Sequence, residues 1–218
     1  MKAKSDAIIQ QEQAEYLDAI HPANTGVSAE MEAYAHENNV PIADREVASF
    51  IAITTRAIKA KRVLEIGMAI GYAAIQILQA MDDDGVVVTI EPSDNMIERA
   101  IYFATKAGVR ERLLIEKGFA LEVIPNLKDT FDIIYLDAMK EEYSGYLNLA
   151  LPHLRVGGVV IADNLLWGGR VATKNYDEGY KKSTEGLIEF NKKFVNHPQL
   201  KAEILSVGDG LGYAVKIA

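Results

Sequence analysis

The apolar positions of the chain keep two different periods, and the change between them divides the sequence. Before residue 44 the spacing is helical in two short stretches, about residues 5–20 and 28–39. His21-Pro22-Ala23-Asn24-Thr25-Gly26 separates them, and Val40-Pro41 ends the second. Asp44 suits the cap of a third helix, in which Val47, Phe50, Ile51, Thr54 and Ile58 recur on one face. From Arg62 onward the pattern turns to short apolar runs of strand type at 63–66, 86–90, 113–116, 131–136 and 158–162. Helical patterns alternate with them: 72–81, a helix capped by Ser93 and ending near Gly108, a short one over 120–127, and one from Asp137 to about Leu154. Residues 165–177 are irregular and hold the single Trp, and a helix follows over 184–195, closed by His197-Pro198. The last two runs, 202–207 and 211–217, flank Gly208-Asp209-Gly210, a hairpin signal.

Strands alternating with helices of this length predict βαβ units and an α/β, doubly wound, largely parallel sheet. Runs that are apolar throughout predict strands covered on both faces. The expected sheet has seven strands, five in βα units and a closing antiparallel pair. The expected organisation is one domain over residues 1–218, with 1–43 a helical extension covering the substrate site.

Composition narrows the function. At 218 residues, with 49% hydrophobic and 25% charged side chains, the chain can bury a full core without staples. A formal charge of −8 argues against broad binding to nucleic acid or anionic membrane, although a local basic patch stays open. The absence of cysteine removes disulfides, thiolate metal sites, iron–sulfur clusters and cysteine nucleophiles, and fits a reducing cytoplasm. Residues 1–20 carry no continuous apolar stretch, so no secretory signal is expected. No run of 18 apolar residues exists to span a membrane.

In an open α/β sheet, ligands bind beyond the carboxyl ends of the strands. The residues there are Glu65 to Gly71, Glu91, Gly118-Phe119, Asp137 and Asp163-Asn164. Glu65-Ile66-Gly67-Met68-Ala69-Ile70-Gly71 lacks the second glycine that lets a pyrophosphate approach the backbone. A nucleoside without a pyrophosphate fits better, with Glu91 accepting its ribose hydroxyls. The plainer alternative makes these glycines an ordinary tight turn. Asp137, Asp163 and Asn164 end adjacent strands and can converge on a hard divalent cation, Mg²⁺ first, with Mn²⁺ or Ca²⁺ as alternatives. Singly, such aspartates most often cap helices. Lys140, at the start of the next helix, opposes the helix dipole, and a neighbouring cation further disfavours its charged form, as a general base near neutral pH requires. By itself it would read as a surface lysine. Trp167, in a glycine-rich loop, reads as a pocket wall. The four histidines show no ligand spacing, and no P-loop or nucleophile elbow is present.

At these residues the chain resembles the cation-dependent class I S-adenosylmethionine O-methyltransferases of the catechol and caffeoyl-coenzyme A type. The resemblance runs from about residue 40 to the end. It rests on Val63-Leu64-Glu65-Ile66-Gly67, Gly71-Tyr72, Asp137-Ala138-Met139-Lys140, Asp163-Asn164, Trp167-Gly168-Gly169 and Gly208-Asp209-Gly210-Leu211. It implies that Glu65, Gly67, Gly71 and Tyr72 line the methionine part of S-adenosylmethionine and that Glu91 holds the ribose. It also implies that Gly118, Phe119 and Asp137 complete the cofactor site, that Asp137, Asp163 and Asn164 bind the metal, and that Lys140 is the base. A homodimer is expected on the same ground. A finer resemblance, through Tyr34-Ala35-His36-Glu37-Asn38-Asn39-Val40-Pro41-Ile42, is to a bacterial branch that methylates 5-hydroxyuridine in tRNA. Ala73 and Phe119 depart from the family, which usually has Ser and an acidic or polar residue there.

The leading expectation is therefore a metal-dependent O-methyltransferase acting on a hydroxyl beside a second metal-binding oxygen. Its acceptor is a catechol-like small molecule or, alternatively, hydroxyuridine in tRNA. Arg170, Lys174, Lys181 and Lys182 could form a phosphate-holding rim or an ordinary solvated face. A nicotinamide dehydrogenase is disfavoured by Met68-Ala69, and a non-catalytic binding protein by the presence of both metal set and base.

Overall fold

The structure is a computed structural model that describes residues 11–173 and 177–218. Its centre is a seven-stranded sheet in the order β3-β2-β1-β4-β5-β7-β6. The strands are β1 (Arg62–Ile66), β2 (Val86–Glu91), β3 (Leu113–Lys117), β4 (Phe131–Leu136), β5 (Leu154–Ala162), β6 (Leu200–Leu205) and β7 (Leu211–Lys216). The first five pair in parallel, β7 runs antiparallel to β5, and β6 pairs antiparallel with β7. The strand order reverses between β1 and β4, neighbouring parallel strands at the middle of the sheet, where an open α/β sheet has its ligand crevice.

Both faces of the sheet are covered, as continuous apolar strands require. On one face Val63, Ile133, Tyr135, Val159 and Ile161 pack under helices α3 (Arg45–Ala57), α4 (Tyr72–Ala80) and α5 (Asp94–Lys106). On the other, Leu64, Ile66, Ile134, Leu136 and Val160 pack under α7 (Tyr143–Ala150) and α8 (Lys181–Val195), with the short α6 (Ala120–Val123) beside them. Outside the first layer lies α2 (Gly26–Asn38), which buries Met31 and Ala35. The first described helix, α1 (Gln11–Ile20), buries none of its residues. No helix among the described residues is long and apolar enough to cross a membrane.

Boundaries shift where turn chemistry overrides periodicity. The helix expected after Asp137 is broken into a 3₁₀ turn over Lys140–Glu142, α7, and a second 3₁₀ turn over Leu151–His153 that contains Pro152. Lys140 therefore stands in a tight turn ahead of the α-helix, rather than in its first turn. Strand β5 starts at Leu154, four residues earlier than its apolar run, and carries a register irregularity between Leu154 and Val159, opposite 131–133. The irregular stretch contains a 3₁₀ segment, Trp167–Ala172, bent at Gly168 and Gly169.

Candidate functional site

The β1–α4 turn is fixed by steric demand. Gly67 has φ +94°, and a Cβ on it would lie 2.2 Å from the Asp137 carbonyl oxygen. Only glycine lets β1 and β4 approach this closely at their carboxyl ends. The glutamates of this region face the same turn. The Glu91 carboxylate accepts the Ala69 N–H at 3.0 Å and the Ser93 N–H at 3.0 Å, which ties the glycine turn to the end of β2. Glu65 is fully buried and accepts the Thr89 hydroxyl at 2.7 Å. Burial pushes its carboxyl up to about 8, against the hydrogen bond from Thr89, with the charges of Asp137 and Glu91 adding to the rise. Gly118 donates its N–H to the Glu91 carbonyl at 3.2 Å, and Phe119 beside it is exposed.

The acidic strand ends meet at β4 and β5. Tyr135 pairs with Ile161 in register, so Asp137 and Asp163, each two residues on, leave the sheet on the same side. Tyr135 is buried, and its hydroxyl lies 3.3 Å from Asp137 Oδ2 and 3.4 Å from Asp163 Oδ2. Burial raises its phenol well above the ordinary value, and the two carboxylates raise it further, so it stays a neutral donor. Asp163 Oδ1 accepts the Asn164 N–H at 2.7 Å, within a turn that holds Asn164 at φ 62°. Lys140 is buried and donates to Asp137 Oδ1 at 2.8 Å and to the Tyr143 hydroxyl at 2.8 Å. Two of its three N–H positions are thus committed. Tyr143 in turn lies within donating distance of the Leu136 and Asp163 carbonyls, both at 3.1 Å, so one hydroxyl links Lys140 to both strand ends.

Two further contacts shape the surroundings. Trp167 is half-buried, its ring centroid 6.0 Å from Lys140 Nζ, and its indole N–H has no hydrogen-bond partner among the described residues. Its loop is held by the hairpin at the other end of the sequence: the Asp209 carboxylate accepts the Gly168 N–H at 2.7 and 2.9 Å. Leu165 and Leu166 donate to the Gly210 and Asp209 carbonyls at 2.8 and 3.0 Å. On the opposite side, the Tyr72 hydroxyl donates to Glu32 at 2.8 Å and accepts from Asn24 at 2.8 Å, while Arg45 grips the same Glu32 at 2.7 and 2.8 Å. Burial would raise Glu32, but the bonds from Arg45, Asn24 and Tyr72 outweigh it and hold the carboxyl at about 2. Residues 24–45 are therefore fastened to the first residue of α4, beside the glycine turn.

These features have close counterparts in known proteins. Residues 27–217 match the family model described as O-methyltransferase. The chain is 30% identical over 182 residues to a flavonoid 3′,5′-methyltransferase of Vitis vinifera, covering 79% of this chain and 76% of that one. It is 28% identical over 195 residues to a caffeoyl-CoA O-methyltransferase of Petroselinum crispum, covering 84% and 80%. The crystal structure of an O-methyltransferase from Bacillus cereus in complex with SAH superposes with a TM-score of 0.82 at 25% identity, covering 94% of this chain and 97% of that one. The chain belongs to the O-methyltransferase family.

As an S-adenosylmethionine-dependent O-methyltransferase, the protein carries at its strand ends both residues that sequence reasoning singled out and residues that it passed over. Glu65, Gly67, Glu91, Asp137, Lys140, Asp163 and Asn164 gather at the carboxyl ends of β1, β2, β4 and β5. Tyr72 joins them through its position, but its hydroxyl is spent on Glu32 and Asn24. Three partners escaped the sequence: Tyr135, Thr89 and the carboxylate of Asp209. The first had a signal available, since it stands two residues before Asp137 and so shares its face of the strand. Among the described residues no three His, Cys, Asp or Glu side chains form a metal cluster; the acidic set is two carboxylates and a carboxamide. The basic rim is largely paired. Lys182 lies 3.4 Å from Glu141, Lys181 lies 3.8 Å from Glu178, and Arg170 stacks 4.2 Å from the Tyr180 ring. Lys174 lies outside the described residues.

The raised Glu65 carboxyl makes a prediction about the methyltransferase without cofactor. The unfolded chain releases the Glu65 proton near the ordinary 4.5 and the folded chain near 8. This group's contribution to stability is complete below 4.5 and is lost as pH rises through 8, because the folded state holds the extra proton. Glu65→Gln removes that loss. Its melting temperature relative to wild type should climb between pH 5 and 8 and level off above that, measured by calorimetry, and a difference independent of pH would refute the assignment.

Proposed function

We propose that the protein transfers the methyl group of S-adenosylmethionine to a hydroxyl on a catechol-like small molecule, in a divalent-metal-dependent reaction. The observation that carries this reading is the meeting of Asp137 and Asp163 at the Tyr135 hydroxyl at adjacent strand ends, with Lys140 bonded to the other oxygen of Asp137. The relatives named for flavonoid and caffeoyl-CoA methylation support an acceptor of phenolic type.

The donor set of Asp137, Asp163 and Asn164 is all oxygen, the chemistry that a hard cation such as Mg²⁺ selects. Among the described residues the Asn164 carboxamide makes no hydrogen bond. The carboxylates of Asp137 and Asp163 stand at adjacent strand ends with the Lys140 side chain paired to Asp137, so added positive charge is accommodated. A bound Mg²⁺ would supply Lewis acidity, making an acceptor hydroxyl more acidic. The remaining work belongs to side chains. Glu91 and the glycine turn hold the nucleoside, Glu65 faces the ammonium end of the methionine, and Trp167 walls the acceptor pocket. Residues 24–45, fastened through Glu32 to Tyr72, close the side of the site beside the glycine turn. S-adenosylmethionine would supply the methyl group, leaving as a neutral thioether, and Lys140, in its neutral amine form, would take the proton the acceptor oxygen gives up. Alignment of oxygen, methyl and sulfur supplies most of the rate.

The test offers the enzyme a catechol, the corresponding monophenol and tRNA lacking the modification, side by side with labelled cofactor, at two salt concentrations. The catechol should be labelled well, the monophenol far more slowly, and the catechol rate should change little with salt. Labelling of tRNA alone, with affinity falling about 0.7–0.9 log units per log unit of salt for each phosphate neutralised, would overturn the small-molecule acceptor and favour hydroxyuridine.

A further inference from the structure

Tyr135 has no part in the proposed chemistry, yet its hydroxyl stands where the two acidic strand ends come closest. The ring belongs to the core between β4 and the α3–α4 layer and is 1% exposed. A Phe would fill that core equally well, so packing does not explain the oxygen. The hydroxyl has one proton and two carboxylate oxygens, at 3.3 and 3.4 Å. Both separations exceed the usual 2.7–2.8 Å of such bonds, so the proton is shared between the two without tightening on either. The outer oxygens are already assigned: Lys140 holds Asp137 Oδ1, and the Asn164 N–H holds Asp163 Oδ1. Tyr135 thus links the two carboxylates to one another.

We propose that Tyr135 is a positioning residue for the cation site, holding Asp137 and Asp163 at a common separation before the cation enters and orienting their oxygens afterwards. This rests on the metal reading given above. Two like charges on adjacent strands repel. A neutral donor between them lowers that repulsion without competing for the cation by charge, and hydrogen bonds to ligating carboxylates commonly change metal affinity by 10–100-fold.

The experiment titrates Mn²⁺ into the full chain by calorimetry, for wild type, Tyr135→Phe and Tyr146→Phe. S-adenosylhomocysteine affinity, measured in chelator, serves as the second readout. Tyr135→Phe should weaken Mn²⁺ binding by about 10–100-fold and leave S-adenosylhomocysteine affinity near wild type. Tyr146→Phe, which removes a similarly buried hydroxyl bonded to Glu142 and away from the strand ends, should keep wild-type Mn²⁺ affinity. Unchanged Mn²⁺ binding in Tyr135→Phe overturns the proposal. So does parallel loss of Mn²⁺ and S-adenosylhomocysteine binding, since that is general loosening. If wild type binds no Mn²⁺, the metal reading itself has failed, and the proposal with it. Should Tyr135→Phe not fold, p-aminophenylalanine at position 135, whose amine still donates, must retain wild-type Mn²⁺ affinity; loss there overturns the proposal equally.

Discussion

Lys140→Met should lower kcat by about 10²–10⁴ while leaving the affinity for S-adenosylmethionine nearly intact, the signature of a group that works in the transition state. The side chain is buried, so the substitution exchanges an ammonium for a thioether of similar length in a pocket lined by Tyr143 and Trp167. Its cost to the fold is the loss of the ion pair to Asp137 and of the hydrogen bond to the Tyr143 hydroxyl. Pre-steady-state quenching separates the chemical step from product release. If methyl transfer on the enzyme proceeds at the wild-type rate, Lys140 serves only to anchor Asp137.

Asp163→Ala should be the more damaging change at the acidic pair, lowering turnover by more than the roughly 100-fold upper range seen when an outer-shell partner is lost. Asp163 is 1% exposed, and its carboxylate orders the Asn164 turn as well as facing Tyr135. One substitution thus removes one proposed ligand and loosens a second. Circular dichroism should show the sheet retained, because the Asp163 N–H still bonds to the Leu136 carbonyl at 3.0 Å. The activity of Asp163→Ala should not recover at high Mg²⁺; full recovery would mean that Asp163 tunes the affinity of a site built by other residues.

Much of this architecture could be read from the chain because strand and turn signals coincide there. Apolar runs such as Val86-Val87-Val88-Thr89-Ile90 end on an acidic residue, and in a parallel sheet that end faces the ligand. The final hairpin was legible from Gly208-Asp209-Gly210, and it does form. What escaped was chemistry that depends on long-range contact. Asp209 looks like a turn residue, and nothing local says that its carboxylate will cap Gly168, 41 residues away. Glu32 sits on a helix with no amphipathic clarity, and its partners Tyr72 and Arg45 lie 40 and 13 residues along the chain. Tyr135 is hidden for the opposite reason. It stands within a buried apolar strand, where an aromatic residue reads as core, and its ring is core while its oxygen is not. The break of the expected helix at Lys140 follows from the demand that Tyr143 face both strand ends, a tertiary requirement with no trace in periodicity.

The central claim is that methyl transfer needs the cation held by Asp137, Asp163 and Asn164. The most direct measurement is the rate of labelled methyl transfer to a catechol by enzyme exhaustively treated with chelator, before and after Mg²⁺ is restored. The account predicts that transfer falls to background in chelator and returns with saturable dependence on Mg²⁺. Undiminished transfer in chelator would contradict it.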